Sequence, residues 1–150
     1  MLATRVLRRL SRLTFAEALL LCEAQYAVVA CQVARWRRPT GQLLRVEDLP
    51  PSGQAPEPAD MDEVASSAWA ISVVSALGIV RPLCLVRSLA LQRMLRRRGV
   101  NTSELKFGFR VRDGALEAHA WIELEGMVVG DSRSYVSRFT PATSHRLVEA

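Results

Sequence analysis

The hydrophobic residues of this chain recur with one period up to about residue 99 and with another beyond it. That change limits the fold more than any other feature. From Leu105 to Val111, the apolar Leu105, Phe107, Phe109 and Val111 alternate with Lys106, Gly108 and Arg110. A period of two sends alternate side chains to opposite faces of a strand. Asp113-Gly114 follows, a dipeptide suited to a two-residue hairpin loop. A second alternation sets Ala118, Ala120, Ile122 and Leu124 against Glu117, His119, Trp121, Glu123 and Glu125. Glu125-Gly126 turns the chain again, and Met127 to Gly130 reads as a third, short strand. The pattern predicts an antiparallel meander.

Upstream the spacing is helical. Thr14-x-x-Glu17 has the capping-box arrangement, in which each side chain satisfies a free backbone N–H at a helix start. Leu13, Ala16, Leu20, Ala24, Ala27, Cys31 and Ala34 then recur at steps of three or four along one face, until Pro39 and Gly41. That helix serves either core packing or the docking of a partner, with Arg35-Trp36-Arg37-Arg38 at its end. A second helix is expected from Asp60-x-x-Glu63 to Leu77, stopped by Gly78. A third is expected with Pro82 at its first position, Arg96, Arg97 and Arg98 at its C-terminal end and Gly99 closing it. Helices followed by a meander make an α+β fold. Pro50, Pro51, Pro56 and Pro58 with Ser52 and Gly53 break regular structure. The expected organisation is a helical segment over 1–46, a Pro-rich linker over 47–60 and a core over 61–150.

Composition removes several alternatives. The chain has 150 residues, 49% hydrophobic and 23% charged, enough for one core and unlike a disordered segment. Three cysteines form no disulfide framework, and a reducing cytoplasmic location is expected. The net charge of +5 is distributed in blocks: strongly basic over 1–46 and 64–112, acidic over 47–63 and 113–150. With aromatics at 6%, no basic surface interleaved with stacking rings is available, so a nucleic-acid partner is not expected. Arg5, Arg8, Arg9 and Arg12 before the apolar run Leu13 to Cys22 have the outline of a signal peptide. Glu17 interrupts that run and no small-residue cleavage site follows it closely, so neither processing nor stable membrane insertion is expected.

Cys84 falls in the first turn of the third helix. Unpaired N–H groups and the positive end of the dipole there favour a thiolate over a thiol. Cys22 and Cys31 lie mid-helix among apolar neighbours, where a thiol acts as a small hydrophobe. His119 falls on the polar side of a strand whose other side is apolar, and so belongs to a solvated face or a site. Asp131 follows the third strand, and in a meander the early part of one strand lies opposite the late part of the next. His119 and Asp131 are therefore expected as neighbours, with the cysteine helix packed across the sheet. Cys84, His119 and Asp131 together would supply a nucleophile, a base and a carboxylate that orients the base. His145 has no such context.

The stretch from Arg81-Pro82-Leu83-Cys84-Leu85-Val86-Arg87-Ser88-Leu89 to Gly99-Val100 resembles the cysteine helix of the lasso-peptide biosynthesis B2 proteins, which are leader peptidases with a transglutaminase-like, papain-related core. Leu116-Glu117-Ala118-His119-Ala120-Trp121-Ile122-Glu123 is similar to that family's histidine strand, and Val128-Val129-Gly130-Asp131-Ser132 to its aspartate segment. Phe139-Thr140-Pro141 resembles the segment that follows, so the likeness covers residues 64–141.

The resemblance implies a cysteine peptidase that cleaves between the leader and core of a ribosomally made precursor peptide. Cys84 would attack the carbonyl, His119 would act as base and then acid, and Asp131 would hold His119. The backbone N–H of Cys84 would give one oxyanion donor; Trp69 is one candidate for the second. Some family members begin with a leader-recognition domain, and residues 1–46 carry no strand pattern for one. A separate leader-recognition protein is then the implied partner, together with a macrolactam cyclase acting on the new N-terminus. No cofactor or metal is implied. Gly-x-x-x-x-Gly-Lys-Ser/Thr does not occur, so any ATP dependence would be indirect, through the cyclase. The alternative within the same pathway is a catalytically inactive transglutaminase-like module that only holds a peptide.

Overall fold

A computed structural model describes residues 13–37 and 60–142. The N-terminal arginines up to Arg12, the helix stop at Pro39 and Gly41, the linker residues before Asp60 and His145 lie outside the described residues. The order of elements is α1 (Phe15–Arg37), α2 (Met61–Leu77), α3 (Cys84–Arg97), β1 (Ser103–Arg112), β2 (Ala115–Leu124), β3 (Met127–Val129), α4 (Arg133–Val136) and β4 (Thr140–Pro141). This is the expected α+β layout.

Local chemistry accounts for most boundaries. The Thr14 backbone N–H donates to Glu17 Oε2 at 2.9 Å and the Glu17 N–H donates to Thr14 Oγ1 at 3.2 Å, which completes the capping box of α1. Asp60 caps α2, its Oδ1 accepting from the Asp62 N–H at 2.9 Å. The arginine-rich end of α3 closes at Gly99, whose φ of +79° lets its N–H reach the Arg96 carbonyl while the Val100 N–H reaches that of Leu95. The start of α3 differs from expectation. Pro82 precedes the N-cap, Leu83, and the first helical residue is Cys84.

β1 and β2 pair antiparallel through all ten residues of each, from Ser103↔Leu124 to Arg112↔Ala115. The two hairpin loops each have positive φ at both central residues, Asp113 with Gly114 and Glu125 with Gly126, as type I′ loops require. β3 pairs with β2 from Ile122 to Leu124 only. A fourth strand, absent from the periodicity, returns beside β1 at Gly108 and Phe109, so the sheet order is β3-β2-β1-β4.

One face of the sheet, bearing Leu105, Ile122, Leu124 and Val129, packs on the helices with Val86, Leu89, Ala90, Met94 and Leu95 of α3 and Val64, Ile71 and Val74 of α2. α1 joins this core through Ala24, Ala27, Val28 and Cys31. Arg98 fastens it there, its two terminal nitrogens 3.2 and 2.6 Å from the two Glu23 oxygens. The outward face of α1 is also apolar, with Phe15, Tyr26 and Trp36 at 80%, 62% and 71% exposure. Cys22 is exposed as well, against expectation; the helical step carries it away from the buried row of Ala24, Ala27 and Cys31. Apolar on both sides, α1 is long and apolar enough to cross a membrane, as core helices of other proteins also are.

Candidate active site

The second face of the sheet carries the candidate site. His119, paired across the strands with Gly108, and Trp121, paired with Lys106, project from it. The alternation reads this face as polar, yet His119 and Trp121 are buried. The reason lies downstream. α4 and the turn after it lay Tyr135, Val136 and Phe139 over this face, and Trp121, Val136 and Phe139 form a second small core with Val128. Gly108 leaves the space they need: a Cβ there would come within 2.8 Å of Phe139 Cβ and 2.9 Å of Trp121 Cη2.

Three rings enclose the imidazole. Phe139 stacks on it with centroids 5.1 Å apart, Tyr135 meets it edge-on at 5.1 Å, and Trp121 lies nearly parallel at 6.1 Å. Such contacts fix the ring plane and exclude water from it. Trp121 keeps its own polar end satisfied, its Nε1–H donating to Glu123 Oε1 at 2.8 Å. Arg110, ion-paired with Glu117, lies over the Tyr135 and Phe139 rings at 5.3 and 4.6 Å and holds the cover from outside.

β3 stops opposite Ile122, so beside His119 the edge of β2 has no strand neighbour on that side. Gly130, with φ of +75°, turns the chain at that point, and Asp131 reaches His119. His119 Nε2 and Asp131 Oδ2 are 2.6 Å apart, with both side chains largely buried. The carboxylate is held by further donors: Oδ1 accepts from the Ser132 N–H at 2.8 Å, and Oδ2 accepts from Arg87 Nη2 at 3.1 Å. With Nε2–H donated to the carboxylate, a neutral imidazole carries its lone pair on Nδ1, the atom free to take a proton.

Cys84 opens α3. Its side chain is partly exposed, unlike the buried Cys31. The two residues one turn further along α3 both turn to the His119–Asp131 region. Arg87 binds Asp131, and Ser88 Oγ donates to the carbonyl of Ala120 at 3.0 Å. Residues i, i+3 and i+4 share a helix face, so Cys84 lies on the face directed at that region. Among the described residues the side-chain hydrogen bond of His119 goes to Asp131, and none joins it to Cys84. The N-terminus of α3 is also chemically open. α1 and α2 have side-chain caps, whereas Leu83 gives α3 none. The first backbone N–H groups of a helix have no intrahelical partner, so that of Cys84 is available to a developing negative charge.

Of the residues singled out from sequence, the structure thus joins His119 to Asp131 and places Cys84 on the adjoining helix face. Trp69 packs against the helical core. Arg87, Tyr135 and Phe139 have no local pattern that marks them as site residues, because each reaches the site across a long stretch of chain. Among the described residues no three of His, Cys, Asp and Glu converge on a metal position.

The described residues thus present a cysteine at the start of a helix, packed on an antiparallel sheet that carries a hydrogen-bonded histidine–aspartate pair. The chain matches the family model of the transglutaminase-like superfamily over residues 26–144, and it belongs to that superfamily. The match begins within α1 and continues past β4. No curated protein and no solved structure matches the chain.

Proposed function

We propose that this protein is a cysteine peptidase that removes the leader from a ribosomally made lasso-peptide precursor, with Cys84 as nucleophile, His119 as general base and acid, and Asp131 as the group that orients His119. The observation that carries the chemistry is the buried His119–Asp131 hydrogen bond at 2.6 Å beside the open N-terminus of the Cys84 helix. The pathway rests on the likeness of the cysteine, histidine and aspartate segments to the B2 leader peptidases.

In this reading Nδ1 of His119 takes the Cys84 proton as sulfur attacks the scissile carbonyl. The carbonyl oxygen becomes an oxyanion and accepts from the Cys84 N–H, a contact worth on the order of 3 kcal/mol. His119 then protonates the leaving amine, and the thioester left on Cys84 is hydrolysed by a water that His119 deprotonates. Asp131 stays ionised and stabilises the imidazolium. No cofactor takes part.

The substrate segment around the scissile bond offers few contacts, so a separate leader-recognition protein delivers the precursor and a macrolactam cyclase consumes the product. The bare apolar face of α1, with Tyr26 and Trp36, gives such a protein a place to dock. The reactions so proposed need neither nucleic acid nor membrane insertion, and a cytoplasmic location accords with three cysteines, an odd number that makes no disulfide framework. The test is mass analysis of a precursor incubated with this chain and the recognition protein. One cut, at the leader–core junction, supports the proposal, whereas an intact precursor or scattered cuts count against it.

A second reading is a peptide-holding module without catalysis. What favours it is the lack of a hydrogen bond between Cys84 and His119 among the described residues. Catalytic hydrogen bonds often tighten only when substrate binds, so this does not outweigh the His119–Asp131 geometry. Cleavage assayed with and without the Cys84 thiol separates the two.

A further inference from the structure

Arg87 stands between the two halves of the site. It lies one turn after Cys84 on α3, and its Nη2 reaches both the Gly130 carbonyl, at 3.4 Å, and Asp131 Oδ2, at 3.1 Å. The same Oδ2 accepts His119 Nε2. The Arg87 side chain keeps 32% of its surface and Asp131 only 13%, so the cation stays partly hydrated while the carboxylate is nearly buried. No other ion pair to Asp131 besides those from Arg87 and His119 is formed among the described residues.

We infer that Arg87 is a positioning residue that acts through Asp131: it fixes the carboxylate for His119 and ties that pair to the helix carrying Cys84. This inference rests on the proposed peptidase reading for its kinetic consequence, and on the geometry alone for its structural one.

Three physical points support it. First, Gly130 has φ of +75° and the chain leaves the sheet there, so nothing in the ladder sets the direction of Asp131. The Ser132 N–H holds Oδ1, and without Arg87 the orientation of Oδ2 would depend on the imidazole it is meant to orient. Second, a nearly buried carboxylate beside an imidazole that is neutral for part of the cycle needs a permanent countercharge, and a guanidinium supplies one at any working pH. Third, Arg87 and Cys84 share a face of one rigid helix, so any shift of α3 relative to β3 moves the nucleophile and the carboxylate clamp together. Ser88 adds a second tie from the same turn, to the Ala120 carbonyl next to His119.

The experiment compares Arg87→Met, which keeps the length of the stem and removes the charge and donors, with Arg87→Lys, which restores a cation able to donate to both oxygens. One arm needs no activity. In the Cys84→Ala protein, the His119 Nε2 proton held by the carboxylate gives a low-field proton resonance, identified by its loss in Asp131→Asn. The resonance is expected to move upfield or vanish in Arg87→Met and to return in Arg87→Lys, with the far-ultraviolet circular dichroism of all variants unchanged. A second arm is kinetic. Arg87→Met is expected to lower kcat about 10- to 100-fold with KM nearly constant, as loss of an outer orienting partner does. Arg87→Lys is expected to recover most of that loss, and Arg87→Met is expected to add little in an Asp131→Ala background, because the residue it acts through is gone. An unchanged resonance in folded Arg87→Met overturns the inference. So does a loss of kcat that persists in full on top of Asp131→Ala. If the wild-type protein cleaves no precursor, the peptidase reading fails while the resonance still decides the role of Arg87.

Discussion

His119 Nε2 and Asp131 Oδ2 lie 2.6 Å apart, twelve residues from each other in sequence, at the point where β3 has ended and β2 has not. The short third strand makes this possible. Had β3 continued along β2, a ladder would occupy the edge that Asp131 crosses. The hydrogen bond assigns Nε2 to the carboxylate and leaves Nδ1 as the open ring nitrogen, and the proposed mechanism gives each member of the site a different role.

His119→Ala is expected to be almost as damaging as loss of Cys84, since in the proposed mechanism nothing else takes the thiol proton or protonates the leaving amine. Asp131→Ala is expected to cost less, because in the proposed mechanism Asp131 orients the ring and does not react. Steady-state rates of precursor cleavage for the two variants check the order. An Asp131 variant as inactive as the His119 variant, or one with full activity, contradicts it.

Thiol alkylation reads activation of Cys84 without any substrate. Cys22, exposed on α1, is an internal control. In His119→Ala the alkylation of Cys84 at neutral pH is expected to slow while that of Cys22 holds constant. Peptide mapping of the labelled protein over time gives both rates at once. Equal slowing at both cysteines points to a change in folding, and no slowing at Cys84 argues against His119 as its base.

Gly108→Ala tests the aromatic cover. The new methyl would come within 2.8 Å of Phe139 Cβ and 2.9 Å of Trp121 Cη2, both parts of packed side chains. Overpacking of this kind costs roughly 1–3 kcal/mol. Since Phe139 and Trp121 also flank His119, activity is expected to fall further than the loss of stability explains. Urea denaturation and cleavage rates under conditions where the variant is fully folded measure the two effects separately.

Delivery by a partner predicts a particular concentration dependence. Tethering raises the effective concentration of substrate to the millimolar range for short linkages and leaves the chemical step alone. A leader-binding protein is therefore expected to accelerate cleavage strongly at low precursor and progressively less as precursor rises. Initial rates across a precursor series, with and without the partner, show it. Equal rates at the lowest concentration would mean that this chain recognises the leader by itself.

Much of this site was legible in the sequence, for local reasons. The capping box at Thr14 and Glu17, the hairpin loops at Asp113-Gly114 and Glu125-Gly126, and the end of α3 at Gly99 are each encoded within a few residues. The nearness of His119 and Asp131 followed from those loops, because a meander fixes which strand ends meet. What was not legible depends on distant contacts. The face of β2 that reads as polar is buried, because Tyr135, Val136 and Phe139 return over it, and Phe139 alone carries no periodic signal. Arg87 binds a residue 44 positions away, so within its own helix it looks like one more solvated arginine. Pro82 suits a first helical position, but the helix begins two residues later, at Cys84.

In the proposed reaction the Cys84 thiol, activated by the His119–Asp131 pair, cuts the precursor. The most direct measurement is cleavage of that precursor by the wild-type protein and by Cys84→Ala, with the recognition partner present in both and circular dichroism confirming equal folding. Truncating one partly exposed side chain at the first position of α3 leaves the helix intact, so the comparison isolates the sulfur. The wild type is expected to release free leader and Cys84→Ala none above background; release at an equal rate by the two proteins would contradict Cys84 as the nucleophile.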